Sequence, residues 1–138
     1  MRDPNRPSIL VVEDQEALRR HVSITLERSG YSVIEAADAF QGLSLLRANK
    51  DSVDLAIIDF AMPGMSGLDM AAVLIREHPA VKILYTSGNV NSVAMEVIAR
   101  SSPDTVMAKP FTAKQLIERV QRLLQKCVGA PGAADLKD

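Results

Sequence analysis

The residues Leu55-Ala56-Ile57-Ile58 form an unbroken apolar run that ends in one carboxylate, Asp59, and passes into the loop Phe60-Ala61-Met62-Pro63-Gly64-Met65-Ser66-Gly67. Apolar side chains at consecutive positions mean a strand covered on both faces, as a parallel strand between two helix layers is. A chain built around such a strand must supply helices for both faces. An acid that ends the strand is costly to desolvate unless a partner meets it, so Asp59 reads as the chemical centre of the protein.

The flanking sequence supplies the helices. Ser8-Ile9-Leu10-Val11-Val12 reads as a strand, and Gln15 to Ser29 as a helix with Leu18, Val22 and Leu26 inward, Asp14 placed to cap its start and Gly30 to close it. Tyr31 to Ala36 is a second strand. Ala39 to Asn49 is a helix with Phe40, Leu43 and Leu46 inward. After the Asp59 strand, Leu68 to His78 is a helix with Leu68, Ala71, Ala72 and Ile75 on its inner face, stopped by Pro79. Val81 to Thr86 is the fourth strand. Asn91 to Ser101 is a helix with Val93, Val97 and Ile98 inward, and Thr105 to Ala108 is a short fifth strand. Thr112 caps a last helix to Lys126, striped by Leu116, Ile117, Val120, Leu123 and Leu124. Strands alternating with helices predict a doubly wound, three-layer α/β sandwich on a parallel sheet. The 138 residues divide into a flexible lead-in over 1–7, one domain over 8–126 and a flexible tail over 127–138, with no output domain expected after 126.

A net charge of −1 gives no electrostatic basis for direct binding to nucleic acid or to an anionic membrane. No run is long enough to span a membrane and no signal peptide opens the chain, so a cytoplasmic location is expected. The single Cys127 excludes an internal disulfide and a cysteine zinc site, and no Gly-x-Gly-x-x-Gly or Gly-Lys-Ser/Thr sequence offers a nucleotide cradle. His21 and His78 read as helix-surface residues, and Met62 and Met65 as packing for the loop.

Ligands of open parallel sheets bind beyond the carboxyl ends of the strands. Here those ends carry Glu13-Asp14, Asp59, Thr86-Ser87 and Lys109. Each has a plain structural reading: Asp14 as a helix cap, Asp59 as a turn residue, Lys109 as a surface cation. Their common placement favours one site. Three carboxylates brought together call for a cation, and an all-oxygen set suits Mg²⁺. Lys109 can hold a phosphate or pair with Asp59, and the Thr86 hydroxyl can donate to a phosphoryl oxygen. The predicted reaction is phosphoryl transfer onto Asp59.

Over residues 8 to 126 the chain resembles the response-regulator receiver domain of two-component signalling. The motifs that carry the resemblance are Glu13-Asp14, Asp59 with its Met62-Pro63 loop, Thr86-Ser87-Gly88 and Lys109-Pro110-Phe111. The resemblance implies a flavodoxin-like sheet of order 2-1-3-4-5 and Asp59 as acceptor from a phosphohistidine donor. It implies Mg²⁺ held by Asp14, Asp59 and the Ala61 backbone carbonyl, with Glu13 acting through water, and a cis Lys109–Pro110 bond. Implied partners are a histidine kinase or histidine phosphotransfer protein and a downstream protein, the receiver being a monomer or a phosphorylation-dependent dimer. Its catalysis would be limited to its own phosphorylation and dephosphorylation. Val106 departs from the family, many members of which carry a switching Tyr or Phe there. Ala61 and Gly88 carry no side chain able to place a hydrolytic water, so they are not expected to shorten the life of the phosphoryl group. Two other readings are a Mg²⁺-dependent aspartyl-phosphate phosphatase, disfavoured by Ala61 in place of a second acid, and a phosphate-independent binding module, disfavoured by the intact Asp59, Thr86 and Lys109.

Overall fold

Alternate residues of the first and third strands enter two different cores. In β1 (Ser8–Val12) and β3 (Leu55–Asp59), Ile9, Val11, Leu55 and Ile57 belong to one buried cluster, and Leu10, Val12, Ala56 and Ile58 to another. This is the two-residue alternation of a strand with a helix layer on each face, and it explains why neither run contains a polar interruption. The computed structural model describes residues 6–49, 51–88 and 93–128, with side chains to 125.

The element order is β1, α1 (Glu16–Arg28), β2 (Ser32–Ala36), α2 (Ala39–Ala48), β3, α3 (Gly67–Glu77), β4 (Lys82–Ser87), α4 (Val93–Ser101), a 3₁₀ turn (Pro103–Thr105), β5 (Val106–Ala108) and α5 (Ala113–Val128). All strand pairs are parallel and the sheet order is β2-β1-β3-β4-β5, the order the resemblance implies. The first core is completed by Val22 and Leu26 of α1 and by Leu116, Val120 and Leu123 of α5. The second is completed by Ala39, Leu43 and Leu46 of α2 and by Met70 and Leu74 of α3. Fully burying one such aliphatic side chain stabilises by about 1.5–3 kcal/mol, so the two cores supply the main driving force.

Local sequence sets several helix ends. Tyr31 N–H donates to Leu26 O (3.1 Å) and Gly30 N–H to Glu27 O (3.1 Å), with Gly30 at φ +97°, a Schellman end that glycine enters without strain. At α5 the Thr112 hydroxyl accepts from Gln115 N–H (3.0 Å) while Gln115 Oε1 accepts from Thr112 N–H (2.8 Å), a complete capping box. Asp14, however, does not cap α1. Gln15 stands at the cap without a side-chain bond, and it is Glu13 Oε2 that accepts from Gln15 N–H (3.1 Å).

Three inner faces differ from the expected ones. Phe40 is 61% exposed, and α2 buries Ala39, Gly42, Leu43 and Leu46 instead. In α3, Leu68 and Ile75 are exposed while Gly67, Met70, Ala71 and Leu74 face inward. Gly67 presses against the end of β3, where an added Cβ would lie 2.5 Å from Asp59 O, and this contact fixes the rotation of the helix. In α4, Val93 and Val97 are exposed and Met95 is buried, with Ala94, Ile98 and Ala99 partly covered. These helices carry apolar residues on more than one face, so periodicity alone leaves their phase open. Residues 1–5, 89–92 and 129–138, which include most of the expected lead-in and tail, lie outside the described residues.

Gly67 and Gly42 make a paired test. A Cβ at Gly67 meets backbone at 2.5 and 2.8 Å, whereas one at Gly42 first meets the flexible tip of Met70 at 2.8 Å. Gly67→Ala is therefore expected to cost about 2–3 kcal/mol and Gly42→Ala less than about 1 kcal/mol, since alanine also favours the helix. Urea denaturation of both variants checks this, and equal costs would contradict it.

Candidate phosphoacceptor and metal site

The pleat that divides the cores also gathers the polar residues. Asp59 follows Leu55 and Ile57 in phase, and Glu13 follows Ile9 and Val11 one step past the end of β1. Thr86 follows Leu84, and Lys109 follows Met107. All four therefore leave the sheet on the phase of the α1–α5 core, at its carboxyl edge. Strand register aligns them: Val12 pairs with Ile58, and Asp59 with Thr86. Backbone bonds carry the ladder past the strand ends, from Phe60 N–H to Thr86 O and from Lys109 N–H to Ser87 O, each 2.8 Å.

Lys109 Nζ lies 2.8 Å from Glu13 Oε1 and 3.2 Å from Asp59 Oδ1. Glu13 and Asp59 are buried, Lys109 is partly buried, and Asp14 is exposed at the mouth. One carboxylate oxygen from each of Glu13, Asp14 and Asp59 lies within 4.8 Å of the others. The missing Asp14 cap has its reason here, because the side chain turns to Asp59 instead of to the helix. Burial, and then the charge of Glu13, push the Asp59 carboxyl from its ordinary 3.8 up to about 6, with Lys109 offsetting only part. Burial would lower the Lys109 ammonium, but its bond to Glu13 and the charge of Asp59 outweigh this and raise it.

The three carboxylates form a cluster that could hold a cation. Glu13 is already engaged by Lys109 and Gln15 N–H, which leaves oxygens of Asp14 and Asp59 for a hard divalent ion. Thr86 is buried in register with Asp59, Ala61 lies exposed in the following loop, and Lys109–Pro110 is cis. The residues expected at the strand ends thus meet at one edge. Val106 lies on the opposite phase, paired with Tyr85, whose ring packs edge-on against Phe60 (centroids 5.8 Å apart). Sequence reasoning passed over Arg19, which donates to Glu13 O, and its partner Glu35; the available signal was a lone acid after Val33 and Ile34 within β2.

Fold and site together define a flavodoxin-like α/β domain with an acidic cluster and a lysine at the carboxyl edge of its sheet. The chain belongs to the response regulator receiver domain family, whose model matches residues 9–121. It is 32% identical over 123 residues to the sensor kinase CckA of Brucella abortus, covering 86% of this chain and 13% of that protein. It is 32% identical over 124 residues to the DNA-binding response regulator MtrA of Mycobacterium tuberculosis, covering 90% of this chain and 53% of that one. The chain thus spans about half the length of such regulators and a small part of the kinase. Among solved structures, a CheY-like receiver domain protein of Methanospirillum hungatei matches with a TM-score of 0.79 at 26% identity, covering 89% of this chain and 97% of that one. The chemotaxis protein CheY4 of Vibrio cholerae matches at 0.73 and 25%, covering 86% and 98%.

The raised Asp59 pKa has a signed consequence for stability. The fold favours the protonated form, so this contribution is fully present below the ordinary 3.8 and is lost as pH rises through about 6. Without divalent ions at pH 7, Asp59→Asn is expected to stabilise the protein by about 1–3 kcal/mol, and to lose that advantage below about pH 4. Urea titrations at the two pH values measure this; a destabilised variant at pH 7 would refute it.

Proposed function

We propose that the protein is a phosphoacceptor that takes a phosphoryl group from a phosphohistidine of a histidine kinase or histidine phosphotransfer protein onto Asp59. The observation that carries this reading is Asp59 buried beside Lys109 Nζ (3.2 Å) within the three-carboxylate cluster. In the reaction an Asp59 carboxylate oxygen attacks phosphorus, the O–P bond forms as the donor's N–P bond breaks, and the electron pair leaves with the imidazole, which takes up a proton. Lys109 favours the charged form of Asp59, against burial and the charge of Glu13, and is placed to meet the new phosphoryl oxygens. The Thr86 hydroxyl, in register beside Asp59, donates to one of them.

Mg²⁺ fits the donor set; Asp14, Asp59 and the Ala61 carbonyl would hold it, with Glu13 acting through water. When bound it supplies positive charge that draws the phosphoryl group to Asp59 and offsets carboxylate repulsion. Catalysis by this chain is confined to its own phosphorylation and dephosphorylation. The added charge on Asp59 pulls on Lys109 and Thr86 and thereby alters the surface presented to a downstream protein. Among the described residues no helix is long and apolar enough to cross a membrane.

Incubation with acetyl phosphate and Mg²⁺ is expected to add one phosphoryl mass to the wild type. None should appear on Asp59→Asn, and none without Mg²⁺, as read by intact-mass spectrometry. An equal adduct on the Asn variant would defeat the assignment. Ala61 is exposed and a Cβ at Gly88 meets nothing within 4 Å, so both positions accept polar side chains. Ala61→Asn and Gly88→Asn are expected to hasten loss of the phosphoryl group; slower loss in a time course would contradict this.

A further inference from the structure

Every polar group of Glu13 is engaged, and two of the four contacts lead to β2. Its N–H donates to Ala36 O (3.1 Å), and its carboxylate receives Lys109 Nζ (2.8 Å) and Gln15 N–H (3.1 Å). Its carbonyl receives Arg19 Nη1 (2.9 Å). The same guanidinium turns its Nε to Glu35 Oε1 (3.2 Å), and Glu35 is braced from outside by Arg20. The Arg19 side chain is 15% exposed and that of Arg20 56%, so the inner arginine is part of the packed structure and the outer one is solvated.

The Glu13 carbonyl belongs to the peptide unit that enters Asp14. Fixing that carbonyl fixes the direction in which Asp14 leaves the strand. Asp14 has no cap bond to α1 to orient it. We infer that Arg19, held by Glu35, is a positioning residue for the acidic site, setting the Glu13–Asp14 peptide so that the Asp14 carboxylate reaches Asp59. This inference rests on the metal reading above. The guanidinium suits the task because its planar fork serves Glu35 and the Glu13 carbonyl together from two nitrogens of fixed geometry, which a lysine ammonium on a flexible stem does poorly. The effect passes through the peptide, as outer-shell contacts commonly tune metal ligands.

Mn²⁺ binding followed by paramagnetic resonance, with Mg²⁺ as competitor, tests the inference at a temperature where urea titration shows each variant folded. Arg19→Ala is expected to weaken Mg²⁺ binding about tenfold or more, and Arg19→Lys to recover part of it. Arg20→Ala should stay within about twofold, because it leaves the Glu13 contact in place. Arg19→Ala with Glu35→Gln should be no weaker than Arg19→Ala alone, since both act through one contact. A purely structural role would lower stability and leave the affinity of the folded protein unchanged. Folded Arg19→Ala within twofold of wild type would overturn the inference; should that variant not fold, unchanged affinity in both Arg19→Lys and Glu35→Gln would do so. Failure of the wild type itself to bind Mg²⁺ would overturn the metal reading first, and this inference with it.

Discussion

The carboxylates of Glu13, Asp14 and Asp59 are held closer together than free carboxylates would stay. At the spacing of this cluster, two unit charges near a protein surface repel by about 3–4 kcal/mol for an effective dielectric of about 20. Lys109 is the counterweight. Its two contacts, at 2.8 and 3.2 Å, cross the sheet from β5 to β1 and β3, so one ammonium ties together strands that are not neighbours. The compensation is incomplete, as the raised Asp59 pKa shows. A charge excess left at this edge is of the kind that a divalent cation would offset, which is the physical basis of the proposed phosphoryl chemistry.

The rest of the fold keeps that edge rigid. Two aliphatic cores clamp the sheet from opposite sides, and parallel register carries each strand to its polar terminus at the same level. Gly67 lets α3 start against the carbonyl of Asp59 itself. The backbone ladder beyond the strand ends, from Phe60 to Thr86 and from Lys109 to Ser87, extends order into the loops that follow the strands. The stability of the cores is thereby set against a destabilising arrangement of charge, as functional sites commonly require.

The strands and their polar termini were legible in the sequence because a strand buried on both faces leaves only one kind of pattern. Asp59 stood out as an acid directly after four consecutive apolar residues, and Glu13 ends the run Ile9-Leu10-Val11-Val12 in the same manner. The helices were less legible. In α2, α3 and α4 a second set of apolar residues, Phe40, Leu68, Ile75, Val93 and Val97, lies on the outer side, and the inner phase was decided by contacts from distant residues, such as Gly67 against Asp59. Asp14 was open to two roles, and the choice between cap and site depends on where Asp59 lies in space. No local pattern contains that. Arg19 was hidden for the same reason, since its partners come from β1 and β2.

The pleat that gathers the site also places its surroundings. Phe60 and Tyr85 directly adjoin Asp59 and Thr86 in the chain, yet they leave the sheet on the opposite phase and pack edge to face. The ring pair is joined to Asp59 and to Thr86 through one peptide unit on each strand. The residue paired with Tyr85 across the sheet is Val106, where many receivers carry their mobile ring. In this chain the aromatic ring on that side of the sheet lies one strand closer to Asp59, on β4. Thr86 is thus joined through one peptide unit to a buried ring on its own strand, while Val106 on the next strand is aliphatic.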